Sequence, residues 1–262
     1  MLKAIGYVLG VCVLGACLSL TACTDSGTGT KAADSTTVVP AAAPSTVAAA
    51  TNDTVNGVTT AGFQDSITPA QVLEKFKEGN RRFLAGKVLH RNYLSQVGVA
   101  ARGQHPYAVI VSCIDSRIPT EIIFDKGIGD MFNARIAGNF INTDILGSLE
   151  FACKVSGAKL ILIMGHSDCG AIKSACDDVK LGNITSMLAN ITPAVRAIKG
   201  FEGQRNSKNK EFVGAVAREN VLMAKDKILK ESPILRDMVA KGEVLIAGAM
   251  YNLQDGSVQF YP

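Results

Sequence analysis

Apolar residues return along this chain in two rhythms. Short, almost unbroken apolar runs occupy residues 107–113, 131–136, 159–165 and 243–250. Runs of that kind suit strands of a parallel sheet, covered on both faces. Between them, apolar positions recur every third or fourth residue over 141–155, 171–179, 187–199 and 212–229, which predicts helices. A further helix is expected from Thr68, which is suited to cap it, with Pro69 at its first position. Val72, Leu73, Phe76, Phe83 and Leu84 supply its apolar face and Gly86 closes it. Alternating strands and helices predict an α/β domain: a single, mostly parallel central sheet flanked by helices. No internal repeat is visible.

The first 65 residues follow neither rhythm. Met1-Leu2-Lys3 precedes an apolar run that ends in Leu20-Thr21-Ala22-Cys23. A short basic start, an apolar stretch and small residues before a cut describe a secretory signal. The ending resembles a bacterial lipobox, so residues 1–22 are expected to be a lipoprotein signal peptide and Cys23 the lipidated first residue of the mature chain. An uncleaved membrane anchor is the competing reading, since the run is nearly long enough to span. Residues 23–65 are rich in Ala, Ser, Thr and Pro and poor in bulky side chains, which predicts a flexible tether. The folded domain is then expected over 66–262. Both readings imply an exported protein, held to a membrane and facing the periplasm or the cell exterior.

Composition mainly excludes. The 262 residues carry 27 Lys+Arg against 23 Asp+Glu, a formal charge of +4. No polybasic stretch or aromatic-basic ladder points to nucleic acid. Of seven Cys, five remain beyond residue 22, and in an exported chain the first reading of Cys113, Cys153, Cys169 and Cys176 is two disulfides.

Position argues otherwise for two of them. Cys113 ends one expected strand, and His166-Ser167-Asp168-Cys169-Gly170 ends another. Open α/β sheets build their sites at the carboxyl ends of strands. If the chain stays extended after Cys113, then Cys113, Asp115 and Arg117 share one face. His166 and Cys169 fall on one side of a strand-to-helix junction. Two thiolates and an imidazole are three ligands of a catalytic zinc site with its fourth position open. Cys113, His166 and Cys169 are therefore the candidate Zn2+ ligands.

At these residues the chain resembles the β-class carbonic anhydrases. The resemblance runs from about Thr68 to Tyr261. It is carried by Cys113-Ile114-Asp115-Ser116-Arg117, Arg135-Ile136-Ala137-Gly138-Asn139, Ser148-Leu149-Glu150-Phe151-Ala152 and Gly165-His166-Ser167-Asp168-Cys169-Gly170-Ala171. Asn220-Val221 and Gly248-Ala249-Met250-Tyr251-Asn252-Leu253, with Gly256, follow in the family's order. It implies reversible hydration of CO2 to bicarbonate and a proton by hydroxide held at zinc. A homodimer or larger homo-oligomer is implied as well, its leading helices embracing the partner. Asp115 is expected to orient the hydroxide while Arg117 holds Asp115; released, Asp115 becomes a fourth ligand that closes the site.

The resemblance also implies a plant-type active site. Gln104 stands where those members have a substrate-contacting amide reaching across the dimer, and Phe132 where they have an aromatic wall. Gly170 joins them as a substrate-binding residue. The bicarbonate-regulated bacterial form carries a Trp at the position of Ile110, and this chain has none. Arg135, part of that regulatory pocket, is present. Phe151 replaces the Tyr that the plant-type pocket usually shows.

Blander readings stand beside these. Cys113 and Cys169 form a disulfide or pack as thiols; Asp115–Arg117 is a structural ion pair; Gln104 and His105 are solvated loop residues; His90 belongs to no motif. Cys153 and Cys176 are free thiols or a disulfide. Hydrolysis of CS2 or COS on the same zinc, and a non-catalytic zinc-binding lipoprotein, are the competing functions. Two thiolates offset the zinc charge, so activity is expected to rise into mildly alkaline pH.

Overall fold

The structure, a computed structural model, describes residues 54–261. The expected signal, Cys23 and the tether before residue 54 lie outside the described residues. Two strands, β1 (Thr54–Val55) and β2 (Val58–Thr59), form a small hairpin, followed by the helix α1 (Ala61–Ser66). Regular elements therefore begin before residue 66, where the folded domain is expected to start. Val58 and Thr59 are buried, Thr59 Oγ1 donates to Asp130, and the Gln64 amide reaches the carbonyls of Pro106 and Ser156. A segment poor in bulky residues cannot build a core of its own, yet it docks where neighbours supply the partners.

Next comes α2 (Pro69–Leu84), opened by Thr68 and Gln71 in a reciprocal capping box with Pro69 in the first turn, as the sequence predicts. After α3 (Tyr93–Ala100) the chain enters β3 (Ala108–Ser112), the short α4 (Thr120–Ile123) and β4 (Met131–Arg135). Helix α5 (Thr143–Glu150) runs into a π-helical turn over Phe151–Val155 before β5 (Leu160–His166) and α6 (Gly170–Cys176). The helix expected over 187–199 is two helices, α7 (Gly182–Leu188) and α8 (Thr192–Ala197). Pro193 lies in the first turn of α8 and has no N–H to give a helix arriving from residue 187. The long α9 (Lys210–Glu231), α10 (Pro233–Ala240), β6 (Leu245–Tyr251) and β7 (Val258–Tyr261) complete the domain.

The main sheet has the order β4-β3-β5-β6-β7. Its first four strands are parallel, and β7 returns antiparallel along β6. All seven residues of β5 are buried, as an interior strand covered on both sides requires. Alternation sorts the side chains into two cores. Ile110, Leu160, Leu162 and Ala249 meet Phe76, Phe124, Ile172 and Val216 on one face. Val109, Val111, Ile161 and Ile163 meet Leu149, Ile228 and Leu235 on the other. Each such fully buried Leu, Ile or Phe contributes roughly 1.5–3 kcal/mol.

This division decides the two remaining cysteines. Cys153 belongs to the second core, whereas Cys176 packs against the first, and both are free thiols. A sheet lies between them, so they cannot pair.

Candidate metal centre

Three side chains converge at the carboxyl ends of β3 and β5. Cys113 follows the last residue of β3, His166 is the last of β5, and Cys169 caps the start of α6. Strand pairing brings them together across 53 residues of chain, because Ser112 lies beside Met164. Exposures are 4%, 1% and 1% for Cys113, His166 and Cys169, so water does not compete for them. Their ligand atoms all lie within 4.8 Å of one another, with the two Sγ atoms 4.0 Å apart. A disulfide, with its bond of about 2.0 Å, is not formed; both thiols are free. A tetrahedral ion bound at about 2.3 Å from sulfur and 2.0 Å from nitrogen needs separations of about 3.5–3.8 Å. The triad fits one with little movement.

The orientation of His166 sharpens this. Its Nδ1 lies 2.9 Å from the Ser167 carbonyl, so Nδ1 carries the proton and donates, leaving the lone pair on Nε2. Nε2 is buried and has no hydrogen-bond partner among the described residues. A buried acceptor left in that state costs about 1–3 kcal/mol; a metal ion placed between it and the two sulfurs removes the cost.

Cys113 is prepared as a thiolate. The Cys169 thiol, 4.0 Å away, lowers its pKa most, against the effect of burial, and the Gly138 N–H at 3.3 Å lowers it further. Cys169 holds the proton the pair shares, pushed up by that contact and by burial.

The chain does not stay extended after Cys113, which corrects the simple alternation expected there. Arg117 N–H donates to Asp115 Oδ1 at 3.0 Å and Ile118 N–H to the Asp115 carbonyl at 3.2 Å, closing a turn. The turn brings the Arg117 guanidinium onto Asp115 as a fork, Nε to Oδ1 at 2.9 Å and an η nitrogen to Oδ2 at 2.8 Å. That pairing holds the Asp115 carboxyl well below the usual carboxylate range. Asp115 Oδ2 remains 4.0 Å from His166 Nε2, beside the space between the three ligands.

Supporting residues emerge that sequence reasoning had not given these roles. Arg135, one strand away on β4, donates to the carbonyls of Cys113 at 3.0 Å and Asp115 at 2.6 Å. Asn220 of α9 donates to the Gly138 carbonyl at 2.8 Å, steadying the turn whose N–H meets Cys113. Asp168 stands 3.8 Å from Arg117 and is itself bound by Lys173. All but Lys173 lie within quoted motif segments or, like Asn220, carry one; what was missing was the direction of their side chains.

Not every expected site residue joins the triad. Gly170 does, as the first residue of α6 directly after Cys169, with open space where a Cβ would stand. Gln104 is exposed in the loop before β3, at the opposite end of the strand from Cys113, and His105 follows it there. Phe132 pairs with Val109, four residues before Cys113, or about 13 Å back along the strand. With Val109, Ala134 and Phe151 it lines a cleft of about 540 Å³ on the open edge of the sheet. Ile110 is fully buried in the sheet.

Comparison with known proteins agrees with this fold. The family model for "Carbonic anhydrase" matches residues 108–258. "Carbonic anhydrase 2" of Mycobacterium tuberculosis is 36% identical over 197 residues, covering 72% of this chain and 90% of that protein. Among solved structures, the β-carbonic anhydrase CcaA superposes with a TM-score of 0.58 at 24% identity, covering 74% of this chain and 93% of that one. A tetrameric β-carbonic anhydrase of Sordaria macrospora gives 0.55 at 25% identity, covering 72% and 96%.

Proposed function

The chain belongs to the carbonic anhydrase family, and from that premise we propose that it interconverts CO2 and bicarbonate at a zinc ion held by Cys113, His166 and Cys169. The observation that carries the metal assignment is the buried, unpartnered His166 Nε2 beside two free thiols. Two sulfurs and one imidazole nitrogen suit zinc, and three protein ligands leave a position for substrate chemistry. Bound there, zinc supplies the Lewis acidity that makes water acidic enough to lose a proton near neutral pH.

The chain's own residues do the rest. The Ser167 carbonyl fixes the His166 tautomer, and the Gly138 N–H supports the Cys113 sulfur. Asp115 stays ionised and turns an acceptor oxygen toward the ligand cluster, where it orients the attacking water by accepting its proton in a hydrogen bond. Arg117 occupies both Asp115 oxygens and so keeps that carboxylate from closing onto the metal. Arg135 anchors the backbone of the same turn.

The substrate cleft of this reading is plant-type and completed across a homodimer. Gln104 and Phe132 are too far from Cys113 to serve their own chain, and Phe132 and Phe151 offer an apolar face on an open sheet edge. An edge strand with exposed apolar side chains is normally covered. Outside the described residues, the Leu20-Thr21-Ala22-Cys23 ending supports lipidation of Cys23 and membrane tethering on the exported side. Loss of metabolic lipid labelling in Cys23→Ser tests that part.

Stopped-flow CO2 hydration with metal analysis tests the whole. Wild type is expected to hold one zinc per chain and to gain activity from pH 6 to 9. Cys113→Ala loses both metal and activity. Arg117→Met keeps the metal and loses at least tenfold in kcat/KM. Equal rates in wild type and Cys113→Ala would overturn the reading.

A further inference from the structure

A second polar cavity, of about 460 Å³, lies away from the metal ligands, roofed by the β1–β2 hairpin and walled by α2 and the segment leading into α3. Its size is that of a small-ligand site. Two side chains on its floor, Lys126 and Tyr107, are each only 5% exposed. The Lys126 ammonium donates to the Lys75 carbonyl at 3.0 Å and sits 4.6 Å from the Phe76 ring centroid. An ammonium has three N–H donors, and the other two meet no acceptor among the described residues. Tyr107 packs edge-on against Phe63 and Phe76, but its hydroxyl has no hydrogen-bond partner among the described residues either.

The buried acids nearby do not fill that need. Asp130 accepts from Thr59 Oγ1 and from the Gly127 N–H, each at 2.7 Å. Asp125 is taken by Arg82, Arg91 and the Leu89 N–H. Around the cavity, Lys and Arg side chains outnumber carboxylates by one. That small excess of positive charge favours an anion over a cation. The Tyr107 hydroxyl is not sealed off, so this unused donor opens on the cavity, where an acceptor can reach it. Phe63 and Leu89 supply an apolar wall, and the volume exceeds what a bare inorganic ion fills.

We propose that this cavity binds a small organic monocarboxylate, its head group on Lys126 Nζ and the Tyr107 hydroxyl and its short alkyl tail along Phe63 and Leu89. None of these residues belongs to the metal centre, so this site and the catalytic reading stand or fall separately.

Butyrate is the probe, titrated calorimetrically into the metal-loaded full chain at fixed ionic strength, with inorganic phosphate in a parallel arm. The expected result is one saturable site per chain. Its affinity falls at least tenfold in Lys126→Met and in Tyr107→Phe, while CO2 hydration in the absence of butyrate is unchanged. Tyr107→Phe removes only a hydroxyl without a partner, so it tests the site even if the lysine variant folds poorly. Absence of a saturable site would overturn the proposal. Undiminished affinity in Tyr107→Phe would do the same, since it would assign the butyrate to the metal or elsewhere. Tighter binding of phosphate than of butyrate would overturn the carboxylate assignment.

Discussion

Gly138→Ala should damage the metal centre without touching a ligand. Gly138 adopts φ +83°, in the left-handed region, where a Cβ costs about 1–2 kcal/mol. An added Cβ would also stand 2.4 Å from Ile191 Cδ1 and 3.2 Å from the Ala171 Cβ. Overpacking of that kind costs about 1–3 kcal/mol. The expected loss of stability is therefore about 2–5 kcal/mol, much of an ordinary domain's margin. The same displacement moves the N–H that meets Cys113 Sγ and the carbonyl held by Asn220. Groups that support a metal ligand in this way carry 10- to 100-fold in metal affinity.

A double-mutant cycle separates the two costs. Ile191→Val removes the clashing Cδ1 and alone costs about 0.5–1.5 kcal/mol. In the background of Gly138→Ala it should recover the overpacking part, a coupling of about 1–3 kcal/mol, and leave the backbone part. Urea unfolding of all four metal-loaded proteins measures the cycle, and zinc competition with a chelator follows the site. Additivity within 0.5 kcal/mol would refute the steric account. Wild-type zinc affinity in Gly138→Ala would refute the link from backbone to ligand.

Three further outcomes are expected. In Gly79→Ala a Cβ would stand 1.9 Å from the Phe124 carbonyl oxygen, where α2 touches backbone rather than a yielding side chain, so the variant should lose more than about 3 kcal/mol or fail to fold; circular dichroism and a wild-type-like Tm would contradict this. Burial, opposed by Asp130 and reinforced by Arg82, Lys75 and Arg91, brings the Lys126 pKa down to about 8, against about 10.4 unfolded. The unfolded chain thus holds the extra proton between those values, so stability rises with pH across that window, by up to about 3 kcal/mol relative to Lys126→Met; a pH-independent difference would remove the reasoning. Burial pushes the Cys153 thiol up to about 12 and the Cys176 thiol up to about 11, so both should resist thiol reagents in the native protein at pH 8; rapid labelling of Cys153 would contradict its place in the core.

Much of the molecule was legible in its sequence, and for identifiable reasons. Strands covered on both faces must be apolar throughout, so β3, β5 and β6 announce themselves, and the Thr68–Pro69 start of α2 is written in residues that cap locally. Three candidate metal ligands at strand ends are likewise a matter of residue type and spacing. Local patterns could not supply relations between distant segments. The hairpin at Thr54–Thr59 carries a local turn signal in Asn56-Gly57, both at positive φ, but its docking comes from Asp130 and Gln96, which only the fold brings to it. The antiparallel β7 depends on its pairing with β6, and the division of residues 187–199 into two helices on how Pro193 is accommodated.

The sequence by itself determined the α/β class and singled out Cys113, His166 and Cys169 as candidate ligands and Asp115–Arg117 as a pair, since each follows from chemistry carried within a few residues. Tertiary structure alone decided that Cys153 and Cys176 face opposite sides of the sheet, and that Arg135 and Gly138 brace the Cys113 turn. It alone separated Gln104 and Phe132 from their own chain's Cys113–His166–Cys169 cluster and gathered Lys126 and Tyr107 beneath the hairpin. These are distances between segments far apart in the chain, and only close packing sets them.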